Sequence, residues 1–250
     1  MPDLFAQVSA LPGLGWLISV AFLAGIVRGF CGFGTAMVYM PIATSIVGPF
    51  AALISMTIMD AIGPLPNLPR ALRERHPGDM GRLLIGLVIA LPLGVWTLGQ
   101  LPTDVFRYAV SLISLTLLVL LASGYRYRGV LGTKTIVGTG MLGGFLGGST
   151  GLPGPPVIML YMASAHPAQV VRATLMIYLL VVDALLLALL WLFDRLEPEY
   201  IALGFMVTLP YLAGNILGAA LFRPERETMY RAIAYGIIAG SAILSLPVWE

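Results

Sequence analysis

Charge is what this chain has least of. Only 10% of its 250 residues are Asp, Glu, Lys or Arg, against about 25% in a soluble domain. No polar stretch is long enough to form a soluble catalytic module. The single cysteine, Cys31, excludes an internal disulfide framework and a cysteine-cluster metal site. The two histidines, His76 and His166, lie far apart without an HxxxH spacing, and His166, just before Pro167, reads as an incidental loop residue. No metal site is expected. No Walker A motif is present, so no nucleotide, other cofactor or nucleic-acid partner is expected. The start, MPDLFAQ, lacks the basic n-region and cleavage site of a removable signal peptide.

Apolar residues fill the space that charge leaves. They make up 58% of the chain, and the mean hydropathy is +0.92. The expected class is an all-α polytopic membrane protein with the lipid bilayer as its main partner. Apolar runs appear at about 14–47, 50–68, 83–101, 105–123, 135–164, 168–193, 200–222 and 229–248. Six have the length of one span, about 20 residues. The runs at 14–47 and 135–164 are too long, since 34 helical residues would reach about 51 Å against a hydrocarbon core of about 30 Å.

Each over-long run is broken near its middle. The first break reads Gly25-Ile-Val-Arg-Gly-Phe-Cys-Gly-Phe-Gly-Thr35 and runs on to Pro41. The second reads Gly143-Gly-Phe-Leu-Gly-Gly-Ser-Thr-Gly-Leu-Pro-Gly-Pro-Pro156. Glycine and proline at this density cannot continue an ideal helix. The expected solution is a helix, a break and a second half-helix. The halves also align: Gly25 to Gly144 and Gly99 to Gly218 are offsets of 119, and Pro92 to Pro210 is 118. A tandem duplication follows, with one broken segment plus three simple spans in each of two repeats, 1–124 and 125–250, that together form one membrane domain.

Positive charge bears on whether the breaks cross the membrane or return. If they cross, eight basic residues fall inside and five outside. If each is a re-entrant hairpin, the repeats are inverted. Arg70, Arg73, Arg75, Arg82, Arg126, Arg128, Lys134, Arg172, Arg223, Arg226 and Arg231 then lie inside, and only Arg107 and Arg195 outside. Eleven to two is the better split, and it favours re-entrant hairpins in an inner cell membrane with both termini on the non-cytoplasmic side.

Broken helices in the two halves of a membrane protein point to a substrate site. Half-helix N-termini offer free N–H donors and a partial positive charge suited to anions. The expected cradle comprises Arg28, Gly29, Phe30, Cys31, Gly32, Phe33, Gly34 and Thr35 at the first tip. Gly147, Gly148, Ser149, Thr150, Gly151 and Gly154 form the second. Arg28 is a charge near membrane depth, costly and usually functional. It attracts the anion, or it snorkels to the interface or pairs with an acid, for which Asp60 and Asp183 are candidates. Those two aspartates, each on the first simple span after its hairpin, are candidates for coupling or gating, with a proton or sodium as the coupling ion. Arg172, at a span's start, reads as interfacial and orienting, and it joins the two aspartates as a candidate for coupling or gating. The pairs Gly25/Gly29, Gly140/Gly144, Gly214/Gly218 and Gly236/Gly240 match the G-x-x-x-G spacing of close helix packing, which also permits a homodimer. Trp16, Trp96, Trp191, Trp249 and Phe5 read as packing residues and interfacial anchors. Gly147-Gly-Ser-Thr-Gly151 fits the G-x-S-x-G pattern, but neither the strand-to-helix turn nor a histidine base is evident.

These motifs resemble the TauE/SafE sulfite-exporter family. The residues that carry the resemblance are Val27-Arg-Gly-Phe-Cys-Gly-Phe-Gly34 with Met40-Pro41, and Gly147-Gly-Ser-Thr-Gly-Leu-Pro-Gly-Pro-Pro156 with Arg172-Ala-Thr174. The likeness runs over nearly the whole chain. The second motif departs from the commoner GGG form. The resemblance implies transport of sulfite, a sulfonate or another small organosulfur or organic anion. A secondary transporter, not an enzyme, is the leading expectation. The alternatives are an anion channel and, behind it, an intramembrane serine hydrolase.

Overall fold

The computed structural model describes residues 2–124, 131–161, 164 and 166–247. Arg126 and Arg128 of the charge argument and the Trp249 anchor fall outside the described residues, as does the side chain of Phe5. Among the described residues the chain is helical without strands. The α-helices are α1 (Pro2–Ser9), α2 (Leu14–Cys31), α3 (Thr35–Val47), α4 (Pro49–Ile62), α5 (Leu68–Glu74), α6 (Pro77–Gln100), α7 (Thr103–Ala122), α8 (Thr133–Thr150), α9 (Gly154–Tyr161), α10 (Ala168–Leu192), α11 (Pro198–Leu221) and α12 (Glu227–Leu244).

Five of them, α2, α6, α7, α10 and α11, are long and apolar enough to cross a membrane, and α3, α4 and α12 are shorter apolar helices. Their outer faces carry exposed Ile, Leu, Val and Phe. Trp16, Trp96 and Trp191 are exposed as well, as lipid-facing helices with interfacial anchors require. The over-long runs do break where the sequence indicated, between α2 and α3 and between α8 and α9. One span is shorter than expected. The 50–68 run stops as a helix at Ile62 and passes through a 3₁₀ turn at Leu65–Asn67 into α5. Pro64, two residues past the end of α4, has no N–H to give to the helix ladder, so α4 does not continue. Its 14 residues reach about 21 Å, less than the hydrocarbon core.

The helices form two compact units that cut across the expected 1–124 and 125–250 division. The first unit holds α1 to α3, α4 up to Asp60, α7 up to Val119, α11 and α12. The second holds α5, α6, α8, α9 and α10. In the first, α2 packs most extensively on α11; in the second, α8 packs on α6. Each unit therefore joins one broken segment to a proline-containing helix, α2 to α11 and α8 to α6.

Glycines make these two contacts close. A Cβ on Gly25 would overlap the Tyr211 carbonyl and lie 2.8 Å from the Asn215 nitrogen, and one on Gly29 would lie 2.5 Å from the Asn215 oxygen. Gly214 and Gly218 answer from the other side against Phe22 and Ile26. In the second unit, Gly140, Gly144 and Gly148 press on Leu83, Leu87 and Leu91, while Gly86 and Gly94 press on Val137 and Phe145. Where lipid is as apolar as leucine, this backbone approach gives van der Waals contact that larger residues would forbid. The expected Gly236/Gly240 contact is not made. No atom lies within 4 Å of a Cβ at either position, because α12 turns that face away from the described helices. The spacing alone cannot tell a packed face from a free one.

Paired variants test this assignment. Gly140→Ala is expected to destabilise by about 1–3 kcal/mol, the usual cost of overpacking, because the methyl would meet the Leu83 carbonyl. Gly236→Ala is expected to be neutral or to stabilise by up to about 1 kcal/mol through helix propensity. Thermal unfolding of the detergent-solubilised protein reads both.

Candidate functional site

The first break is built by two left-handed glycines. Gly32 (φ +75°) ends α2 and donates its N–H to the Arg28 carbonyl at 2.7 Å. Gly34 (φ +101°) starts α3 without a side-chain cap. The first intrahelical bond of α3 runs from the Val38 N–H to the Gly34 carbonyl. The N–H groups of Thr35, Ala36 and Met37 therefore precede any intrahelical acceptor, and the positive end of the helix dipole sits at the tip. A Cβ at Gly32 would meet no atom within 4 Å, so the backbone there is open to approach. Cys31 and Phe33 beside it are half-buried, and the Phe30 ring lies 4.9 Å from that of Tyr230.

Four side chains from four helices converge behind this tip. Arg28, in the last turn of α2, reaches Asp60 on α4, with Nη1 to Oδ2 at 3.2 Å and both side chains 13% exposed. Tyr211 on α11 donates its hydroxyl to Asp60 Oδ1 at 2.7 Å, and Thr35 on α3 donates to the same oxygen at 3.2 Å. Arg28 Nη1 also stands 3.5 Å from Thr35 Oγ1. Of the sequence-based readings of Arg28, the structure realises pairing with an acid, and the acid is Asp60. Asp183 is buried on α10 in the other unit. Tyr211 was not singled out from sequence. Its signal was a hydroxyl next to Pro210 inside an apolar run.

The second break has the same outline and different chemistry. Gly151 (φ +75°) ends α8, its N–H bonded to the Gly147 carbonyl at 3.1 Å, and the Leu152 N–H reaches the Leu146 carbonyl at 3.2 Å. The chain reverses here. Pro153 packs on Gly147, and Val157 packs on Gly143, farther back along α8. Helix α9 begins Gly154-Pro-Pro156. Its prolines preset φ but carry no N–H, so of its first three residues only Gly154 can donate. The hydroxyls expected to face an anion are engaged elsewhere: Ser149 donates to the Phe145 carbonyl at 2.7 Å and Thr150 to the Leu146 carbonyl at 2.8 Å. Mid-helix hydroxyls commonly close such bonds one turn back. The Ser149 proton thus sits on a backbone carbonyl instead of a base, which leaves a serine nucleophile without activation.

Several tip glycines serve packing. The side of Gly29 is filled by Asn215 and that of Gly148 by Leu91, 2.5 Å from a Cβ position in each case; Gly147 is filled by Pro153 at 3.0 Å. Gly154 keeps ordinary clearance, 3.7 Å to Leu179. Arg172 is exposed near the start of α10, as an interfacial residue would be.

A stability cycle tests the Arg28–Asp60 pair. Arg28→Gln and Asp60→Asn should each destabilise by leaving a partly buried charge uncompensated. The double variant should recover part of the loss, with a coupling of about 0.5–3 kcal/mol. Additive losses in thermal unfolding would mean that the pair contributes nothing.

No curated protein and no solved structure matches the chain. A family model described as sulfite exporter TauE/SafE matches residues 17–245. That match takes in both broken segments, both glycine-packed helix pairs and the Arg28–Asp60 network, and five helices are long and apolar enough to cross a membrane. A multi-pass membrane protein of this build belongs to the TauE/SafE sulfite-exporter family.

Proposed function

We propose that the protein is a secondary transporter that exports a small anion, either sulfite, a sulfonate or another organosulfur or organic anion, by alternating access. The carrying observation is the first break, where an uncapped α3 N-terminus, an open Gly32 backbone and the Arg28 guanidinium meet at one tip. Backbone N–H groups and a guanidinium are the donors that suit an oxyanion. The family's printed name supports the substrate class.

Asp60 gives this site a means of coupling. In the structure its carboxylate holds the Arg28, Thr35 and Tyr211 donors that an oxyanion would use. Protonation of Asp60 neutralises it and releases the guanidinium to the substrate. Proton and anion would then load together as a neutral pair, and the outward concentration gradient of the substrate itself would drive export in place of nucleotide hydrolysis. The second tip is a separate candidate contact for the anion, through Gly147, Gly148, Gly151 and Gly154 and through Ser149 and Thr150 once their hydroxyls rotate off the helix. The proposed placement is a cell membrane with both breaks as re-entrant hairpins. The arginine distribution of the sequence supports that orientation.

Proteoliposome transport tests the proposal. Saturable sulfite or sulfonate flux with trans-stimulation is expected, and a channel would show no trans-stimulation. Arg28→Gln should lower the flux about ten- to hundredfold, the equivalent of one lost charge-assisted hydrogen bond. Asp60→Asn should retain exchange while losing its dependence on the proton gradient. A thermal-shift screen against sulfite, sulfate, thiosulfate, sulfoacetate and small carboxylates should show stabilisation by the substrate through mass action. Absence of both stabilisation and flux for all of them would overturn the anion reading.

A further inference from the structure

The second unit brings together the two histidines that lie far apart in the sequence. His76 ends the α5–α6 connection, and His166 lies between α9 and α10. Their rings stand 4.6 Å apart, with the Asp79 carboxylate between them. Asp79 Oδ2 is 3.4 Å from His76 Nδ1 and 3.1 Å from His166 Nε2, and all three atoms lie within 4.8 Å of one another. We propose that His76 Nδ1, Asp79 Oδ2 and His166 Nε2 form a binding site for a divalent transition-metal ion of the zinc type.

The two separations from Asp79 suit such an ion. Ligands at about 2.0–2.1 Å from a tetrahedral zinc are separated by about 3.3–3.4 Å, close to both separations from Asp79. Two imidazoles and one carboxylate are the three-ligand set of a site that keeps its fourth position open. His76 already presents the required lone pair, because its Nδ1 accepts the Asp79 N–H at 3.2 Å. Metal binding would replace that bond.

The surroundings hold the ligands in place. Arg82 donates to the other Asp79 oxygen, Oδ1, at 3.2 Å, which orients the carboxylate and leaves Oδ2 for the ion. The His76 N–H donates to Thr174 Oγ1 on α10 at 3.1 Å, which fixes the loop that carries it. An independent observation points into the same place. Tyr161 is 2% exposed, and its hydroxyl has no hydrogen-bond partner among the described residues. That hydroxyl lies near the Asp79 carboxylate, and the Tyr161 ring stands 6.5 Å from that of His166, so the tyrosine belongs to the same cluster. The path in is open, since the Asp79 side chain is 6% exposed but His76 and His166 are 42% and 29% exposed. A bound ion would clamp the start of α6 to the α9–α10 connection. This inference is independent of the transport reading.

Cobalt(II) substitution tests it, because cobalt(II) reports tetrahedral N/O coordination through its visible absorption. The full chain, purified without a histidine tag and freed of metal by chelation, is titrated with cobalt(II) and then zinc(II). The wild type is expected to bind one equivalent, to show the ligand-field bands and to unfold at higher temperature with zinc. His166→Gln and His76→Gln should lose the bands and the zinc-dependent shift. Arg82→Gln should keep the bands with affinity weakened about 10–100-fold, as expected for an outer partner. The proposal is overturned if the wild type shows no saturable one-equivalent binding, a result that needs no variant to fold. It is also overturned if binding is unchanged in both histidine variants, or if stability responds to pH and not to zinc.

Discussion

Close glycine-mediated contact between paired helices is the constraint on which the rest of the structure depends. Inside a bilayer, helices gain little by burying leucine against leucine, because lipid already offers that environment. What remains is the dispersion energy of backbones brought near each other. Gly25 and Gly29 of α2 face Gly214 and Gly218 of α11, and Gly140, Gly144 and Gly148 of α8 face Gly86 and Gly94 of α6. These pairs set the ends of α2 and α8, and therefore the positions of both tips. They also bring Tyr211 to Asp60, since the same turn of α11 that receives Gly25 carries that tyrosine.

The two glycine-packed helix pairs resemble each other only in part. Gly25 and Gly29 correspond to Gly144 and Gly148 at an offset of 119, so α2 and α8 carry the same glycine face. Their partners do not repeat so faithfully. Gly218 packs on Ile26, while its counterpart Gly99 touches nothing within 4 Å, and α6 uses Gly86 and Gly94 instead. The breaks diverge further. One ends in an uncapped helix backed by an ion pair, the other in Gly-Pro-Pro with its hydroxyls turned onto its own helix. The first tip presents charge and N–H donors; the second presents mostly shape.

Local features of this fold were legible in the sequence and its long-range partnerships were not. Density of glycine and proline located both breaks, since φ > 0 and missing donors act on the residue that carries them. The G-x-x-x-G spacing identified three packed faces and misassigned Gly236/Gly240, because it records only the absence of a side chain and not the presence of a partner. The acid that pairs with Arg28 was narrowed to two candidates, and helix packing chose Asp60. That α2 would pair with α11 and α8 with α6 was hidden, because partnership between helices distant in sequence leaves no periodicity in either segment. Ser149 and Thr150 were read as anion donors from residue type alone, whereas the rotamer that sends each proton to a carbonyl depends on having that carbonyl one turn away. The meeting of His76 with His166 was invisible for the same reason as the helix pairs.

Asp60 determines what kind of anion site the first break can be. A lone arginine near membrane depth would be expensive, and the carboxylate removes most of that cost by pairing with it at 3.2 Å. The same pairing occupies the donors that a substrate needs. An incoming oxyanion must therefore displace a carboxylate already held by Arg28, Thr35 and Tyr211. Direct displacement would leave two negative charges beside one guanidinium in a region of low dielectric, where like charges repel strongly. Neutralising Asp60 first avoids that repulsion and leaves one positive charge facing one negative charge. In the alternating-access reading proposed above, the empty site and the loaded site would then both be neutral, which is the condition that exposure of one tip to each side of a membrane in turn would impose.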